Sequence, residues 1–367
     1  MTHAQSPASR DAPVRLGIIG CGLISHAHGR AARRSAQQVH FVACASRSAE
    51  RTRAWAAEYG SEASYTDYRD LLRHPDLDGV VIATWPSQHH EHIVACLEAG
   101  VRYVLCEKAL TTRADHALDI FRRARTVGAI VLEGYMYRHH PVMDQLTHEL
   151  GKLGRIDHIH AEFNMREAGA GSPAISDWRH DAEAGGGVPF DFACYPVDAI
   201  DRLAGAPPIR ASGCGFVASA NGTVSRLYGM IEYANGCVGT VASSRSASFS
   251  QTLIVSCEGG RLELPFAWSA PGNVSLRVVT SPGFLELESR EVEVTWPTPT
   301  RTPSLLDLPT FTRQIEHFAA VIRGRTEPHM SLSESVTNIY VLEALLASDR
   351  EGRRVNVALP QEMAPTA

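Results

Sequence analysis

Gly20-Cys21-Gly22-Leu23-Ile24-Ser25 joins an apolar run to a helix-like stretch, which is where a phosphate-binding turn must sit. Gly20 permits the tight turn, Gly22 lets the backbone approach a pyrophosphate, and small Ser25 allows close helix packing. The helix N-terminus then turns its free amides toward the negative charge. The next apolar run closes on Ala45-Ser46-Arg47-Ser48, without the Asp or Glu that would accept a ribose 2′-hydroxyl. Ser46 can donate to a 2′-phosphate, Arg47 can pair with it and stack on adenine, and Arg51 adds charge one turn later. These residues predict a site for NADP(H), with NAD(H) as the alternative.

A second constellation lies at Pro189-Phe190-Asp191-Phe192-Ala193-Cys194-Tyr195-Pro196. Pro189 suits a first helical turn, and Phe192, Ala199, Ile200 and Leu203 mark an apolar face. Asp191, Tyr195, Asp198 and Arg202 form a polar stripe, so Asp191 and Tyr195, four apart, point into one cleft. Pro196 removes the hydrogen bond to Phe192 and predicts a kink at the tyrosine.

These residues need elements to position them. VRLGIIG, VHFVACA, GVVIAT, VRYVLCE and AIVLEG are apolar runs, each followed by helical sequence. That alternation predicts an α/β Rossmann domain, a doubly wound parallel sheet, over 14–138. From Arg155 onward long β-rich segments joined by Gly and Asn turns predict a large, mostly antiparallel sheet in an α+β domain over 139–367. Two terminal helices, 311–324 and 331–349, are expected to pack back on the first domain. Residues 1–13 read as a disordered tail, and Pro297 to Pro309 as an extended surface connection or an arm to a neighbouring subunit.

Composition narrows the function classes. The 367 residues are 44% hydrophobic and 20% charged, with a formal net charge of −5, so no basic face is expected for nucleic acid. No apolar stretch approaches the roughly 20 residues of a membrane span, and the start lacks a signal-peptide core; a cytoplasmic protein is expected. The eight cysteines show no CxxC pair and read as reduced, mostly buried thiols, so the Asn221 and Asn273 triplets carry no glycan. His89, His90, Glu91 and His92 lack the spacing of a metal site, and no metal is expected.

By this point the chain resembles the Gfo/Idh/MocA oxidoreductases, over nearly its whole length. IATWPSQHHEHIVACLEAG is similar to the segment that borders the nicotinamide in that family. The resemblance places Thr84, Trp85, Pro86 and either His89 or His90 at the cofactor. LCEKAL matches the family's Glu-Lys-Pro with Glu107 and Lys108, Ala109 replacing the proline. EGYMYRHHP implies Arg138 near cofactor or substrate; its Tyr135 and Tyr137 read as pocket walls or core rather than as acids. Asp177-Trp178-Arg179 and the Gly185-Gly186-Gly187 run through Tyr195 are similar to the branch containing glucose-fructose oxidoreductase, dihydrodiol dehydrogenase and NADP-dependent xylose dehydrogenase. The resemblance implies an open second sheet, a homo-dimer or homo-tetramer, and chemistry at a carbinol carbon of a sugar, cyclitol or diol.

Moving a hydride from an alcohol requires a base for the hydroxyl proton, and a tyrosine of pKa about 10 is a poor one at neutral pH. Lowering that pKa by about 2 to 3 takes roughly 3–4 kcal/mol. A Lys108 ammonium about 4 Å away supplies this at an effective dielectric near 20. Tyr195 is thus expected as general acid/base, Lys108 as its electrostatic partner, and Asp191 as the group that holds the lysine or a substrate hydroxyl. A ketoreductase of nucleotide-sugar or antibiotic biosynthesis would use the same residues with a groove for a diphosphate. A non-catalytic NADP(H) sensor would need Gly20, Gly22 and Arg47 but has no use for Lys108 with Tyr195.

Overall fold

A computed structural model describes residues 12–166, 177–217, 222–281, 286–296 and 305–363. Asn221, most of the 1–13 tail and most of the Pro297–Pro309 connection lie outside the described residues. The first half alternates strand and helix: β1 Val14–Ile19, α1 Leu23–Arg34, β2 Val39–Ala45, α2 Ala49–Tyr59, β3 Ala63–Tyr65, α3 Tyr68–Leu71, β4 Gly79–Ile82, α4 Pro86–Glu98, β5 Tyr103–Glu107, α5 Ala114–Val127 and β6 Ile130–Gly134. The strands form one parallel sheet in the order β3-β2-β1-β4-β5-β6. Its near-continuous apolar runs follow from helices covering both faces. The order reverses between β1 and β4, and ligands of such sheets bind at the carboxyl ends of the strands there.

The chain continues through α6 Pro141–Leu150 and β7 Ile156–Asn164 to a helix, α7 Cys194–Ala204. Then come β8 Pro208–Val217, β9 Val224–Tyr233, β10 Val238–Ser244, β11 Leu253–Cys257, β12 Gly260–Leu264, β13 Asn273–Thr280 and β14 Glu288–Thr295. With β15 Val355–Asn356 they build a nine-stranded sheet, β14-β13-β12-β11-β7-β10-β9-β8-β15. Every described pairing is antiparallel except β7 with β10. Helix α7 packs on β7 and β10, so its apolar face is the floor between site and sheet.

The helices α8 Pro309–Ile322 and α9 Leu332–Glu351 close the chain. Helix α8 lies against α1, with Ser35 Oγ donating to Glu316 at 2.7 Å, and Phe318 and Ile322 pack beside Gly79 of β4. Arg30 and Arg34 both reach Asp307. Helix α9 begins on a capping box, Ser331 with Glu334, which satisfies two amides that would otherwise be orphaned. It also accepts the Ala114 amide of α5 on Glu343.

Candidate active site

The glycine turn comes first. Gly20 sits at φ +102, its amide bonded to Ala45 O at 2.8 Å, and a Cβ there would lie 2.5 Å from Ala83 O. Any side chain is therefore both strained and obstructed. Gly22 caps α1 without a side-chain hydrogen bond, and a Cβ there meets nothing within 4 Å. The first turn of α1 has no acidic residue. Free helix amides beside open space, with no competing carboxylate, fit a pyrophosphate. Ser25 donates to Gly22 O at 2.6 Å and braces the turn, and Cys21 is buried beneath it. Ile24 is half-buried, whereas Leu23 is 60% exposed, a large apolar surface beside the turn.

At the end of β2, Arg47 is exposed, its guanidinium 5.4 Å from the centroid of the Trp85 ring. Arg51 is exposed one turn into α2. The hydroxyl of Ser46 is already shared with Thr52 Oγ1 at 2.6 Å and Ser48 O at 3.2 Å, so donation to a phosphate requires it to turn.

Pro86 opens α4, and Trp85 stands as its N-cap. Buried His89 lies with Nδ1 2.8 Å from Ala109 O and Nε2 3.1 Å from Thr84 O. Burial holds its pKa below the ordinary value, so the ring is neutral and donates to one carbonyl only. The expectation that His89 or His90 faces the cofactor is corrected: His89 ties Thr84 to Ala109 inside the fold, and His90 pairs with Asp119 at 2.8 Å. His92 meets Thr84 Oγ1 and is pushed down to about 4 by burial. Among the described residues no cluster of His, Cys, Asp or Glu is arranged to hold a metal.

Lys108 follows β5, and the Lys108–Ala109 peptide is cis. Its Nζ donates to the Asp191 carbonyl at 2.7 Å and to Asp191 Oδ1 at 3.1 Å. The other carboxylate oxygen accepts from Arg179 Nε at 2.9 Å and from Arg245 at 2.7 Å. Burial alone would raise the Asp191 pKa. The cations of Lys108, Arg179 and Arg245 outweigh it and hold the carboxyl well below its usual range. The glycine triplet explains how Arg179 gets there. A Cβ on Gly186 would stand 2.5 Å from Trp178 O, and Gly187 donates to Arg179 O, so the short 3-10 turn Asp177–His180 folds tightly over the run. The Arg179 guanidinium then lies 4.7 Å from the Trp178 ring centroid.

Residues Pro189–Ala193, which include Asp191, form a π turn, and α7 begins after it. The expected kink is thus a change of winding, and the missing amide of Pro196 falls in the first turn of α7, where no intrahelical partner is needed. The Lys108 Nζ lies 5.0 Å from the centroid of the Tyr195 ring. The phenol donates weakly to Met136 Sδ at 3.6 Å. Burial pushes its pKa well above 10, and Cys194, Glu107 and Asp191 reinforce the shift. This corrects the expectation of a lowered phenol: the lysine is spent on Asp191 and sits over the ring face, leaving Tyr195 protonated at neutral pH.

Tyr135, Tyr137, Phe163 and Trp268 surround the Tyr195 ring at centroid separations of 5.5 to 6.0 Å. Tyr135 is buried and donates to Cys194 O. Arg138 is a third correction. Its guanidinium forks onto Asp198 at 2.6 and 2.9 Å and reaches Glu334 at 3.0 Å, with Asn338 and Tyr137 also on Asp198. Fully engaged and 5% exposed, Arg138 braces the interior. Asp198 therefore leaves the stripe shared by Asp191 and Tyr195. Arg245, which no spacing announced, completes the cluster from the residue after β10. Glu107 is held by His28 of α1 at 2.7 Å.

Residues 14–135 match the description "Oxidoreductase family, NAD-binding Rossmann fold", and residues 149–357 match that family's "C-terminal alpha/beta domain". The chain is 28% identical to D-xylose 1-dehydrogenase (NADP(+)) 2 of Haloferax volcanii, over 88% of this chain and 93% of that protein. It is 29% identical to trans-1,2-dihydrobenzene-1,2-diol dehydrogenase of Mus musculus, over 70% and 76%, and 32% identical to dTDP-3,4-didehydro-2,6-dideoxy-alpha-D-glucose 3-reductase of Actinomadura kijaniata, over 55% and 59%. A levoglucosan dehydrogenase solved with NADH shares the fold at a TM-score of 0.83 and 20% identity, covering 95% of this chain and 100% of that one. With both domain matches spanning most of its length, the chain belongs to the Gfo/Idh/MocA oxidoreductase family.

Proposed function

We propose that this protein passes a hydride between NADP(H) and a carbinol or carbonyl carbon of a sugar, cyclitol or diol. The observation that carries the reading is the meeting of Lys108, Asp191 and Tyr195, from two domains, at the carboxyl ends of the parallel strands. The NADP-named xylose dehydrogenase and the diol dehydrogenase among the relatives support the substrate class. The nicotinamide, when bound, supplies or accepts the hydride. Gly20, Gly22 and the first turn of α1 hold its pyrophosphate, and Arg47 with Trp85 forms the adenosine end. Tyr195, protonated, gives its proton to the forming alkoxide, while Lys108 stabilises that negative charge. Asp191 fixes the lysine so that no reorganisation is needed at the moment of reaction.

The test is a screen of aldoses, cyclitols, diols and their ketones for change at the reduced-nicotinamide absorbance, repeated with Tyr195→Phe and Lys108→Ala. Each variant should lose roughly 10²- to 10⁴-fold in kcat. Near-wild-type kcat in both would end the assignment of roles. The dTDP-sugar reductase relative supports a second reading, a ketoreductase of nucleotide-linked sugars. Tight inhibition by a nucleoside diphosphate, with free sugars inert, would select it. We place the cofactor domain at 14–138 and the substrate domain at 139–367. A homo-dimer or homo-tetramer is proposed from the open sheet, where Phe216, Val217 and Tyr228 are exposed.

A further inference from the structure

Two aromatic rings stand half in water beside the site. Phe249 and Phe266 are 50% and 46% exposed, and their rings stack at a centroid separation of 6.2 Å with 29° between their planes. Phe266 holds φ +54, a left-handed conformation that a bulky residue rarely adopts. Half exposed, the ring recovers little of that cost by packing, and strain of this kind gathers at ligand sites.

Strand register places the pair on the site face of the second sheet. Leu253 stands opposite Ala161, and Ser250 exchanges backbone hydrogen bonds with Asn164 at 2.8 and 3.0 Å. Successive residues of such a pairing alternate between faces. The Ser250 hydroxyl meets Glu162 on one face, so Phe249 falls on the other, with Gln251, Leu253 and Phe163. On that face Phe163 packs against Phe192 and Tyr195, at centroid separations of 4.5 and 5.5 Å. Phe266 is tied to the same place through its neighbours. Ala267 N donates to Gln251 O at 2.7 Å, and the Trp268 ring lies 6.0 Å from that of Tyr195. Two residues of chain span at most about 7 Å, so the backbone of Phe266 stays close to the Trp268 wall. Arg245, bonded to Asp191, stands four residues before Phe249.

We propose that Phe249 and Phe266 form an outer subsite for an apolar ring carried by the substrate, so that the preferred substrate is a sugar or diol bearing a flat, uncharged aryl substituent. This rests on the reading of the site as one for hydride transfer at a carbinol carbon, and names the substrate more closely. The surroundings select the occupant. No charged residue occurs from Ser246 to Leu253 or from Leu264 to Pro271, so neither segment offers a cation to a diphosphate. A neutral ring covers the two exposed faces without the cost of desolvating a charge.

The experiment uses the full chain with saturating cofactor. Phenyl and methyl β-glycosides of xylose and of glucose are compared as competitive inhibitors of whichever free sugar or diol it turns over. The phenyl compounds should bind about tenfold tighter, the contribution of one well-placed aromatic contact. Phe249→Ser and Phe266→Asn should each bring the phenyl-to-methyl ratio close to one. Asn suits a left-handed backbone, so Phe266→Asn should also keep or raise the melting temperature, whereas loss of a ring held for packing would lower it. A ratio near one in the unsubstituted chain, or a high ratio kept in both variants, would overturn the proposal. So would a fall in oligomer mass by light scattering in the variants, which would give the pair to a second copy of the chain. An unsubstituted chain that turns over no sugar, cyclitol or diol would instead overturn the reading of the site beneath it.

Discussion

At Tyr195 the electrostatics favour one direction of proton flow. A phenol whose pKa lies well above 10 is ready to donate at neutral pH, and ionising it requires a buried negative charge next to Glu107 and Asp191. Reduction of a ketone should then have a flat rate across pH 6–9, because the phenol stays protonated throughout. Oxidation needs the phenolate, whose fraction rises tenfold per pH unit below the pKa, so kcat for oxidation should still be climbing at pH 10. An oxidation profile that levels off near pH 7 would show that another group takes the proton. At the adenosine end, Arg47→Ala should raise the KM for NADPH by roughly tenfold or more, since a charge-assisted pair to phosphate is lost. The KM for NADH should hardly move, and parallel changes in the two would place Arg47 in solvent.

Among elements, the tight turn over the glycine triplet carries the most consequence for the site. Gly186→Ala pushes a methyl group into Trp178 O, Arg179 O and Asp181 O, which moves Arg179 off Asp191. We expect a several-fold rise in substrate KM with only a small loss of thermal stability, measured by steady-state kinetics and calorimetry. The Gly20 turn, the Asp191–Tyr195 pair and Lys108 were legible in the sequence because each is encoded locally, by periodicity or by place at a strand end. Arg245 was not, because a single arginine after a strand has no spacing partner. Arg138 was misread for the same reason: its partners Asp198 and Glu334 stand 60 and 196 residues away. The lowered phenol failed because sequence could place a lysine near a tyrosine but could not say that the ammonium lies over the ring face.

For the whole molecule, the Arg138–Asp198 hub joins the 3-10 turn after β6 to α7 and α9. Arg138→Met should lower stability by about 3–5 kcal/mol, because it leaves a buried carboxylate without its cation. NADPH affinity at low temperature should be little changed. A large loss of affinity with unchanged melting temperature would return Arg138 to the cofactor site. The division of the chain has a further implication through α8, which follows β14 of the second sheet in sequence yet covers α1 and β4 of the first. During synthesis the parallel sheet emerges first but lacks one of its walls until residues near Ile322 leave the ribosome. The first domain therefore waits, with apolar surface open, for a helix made after most of the second domain, and a chain stopped near residue 138 should be sticky rather than a free-standing cofactor module.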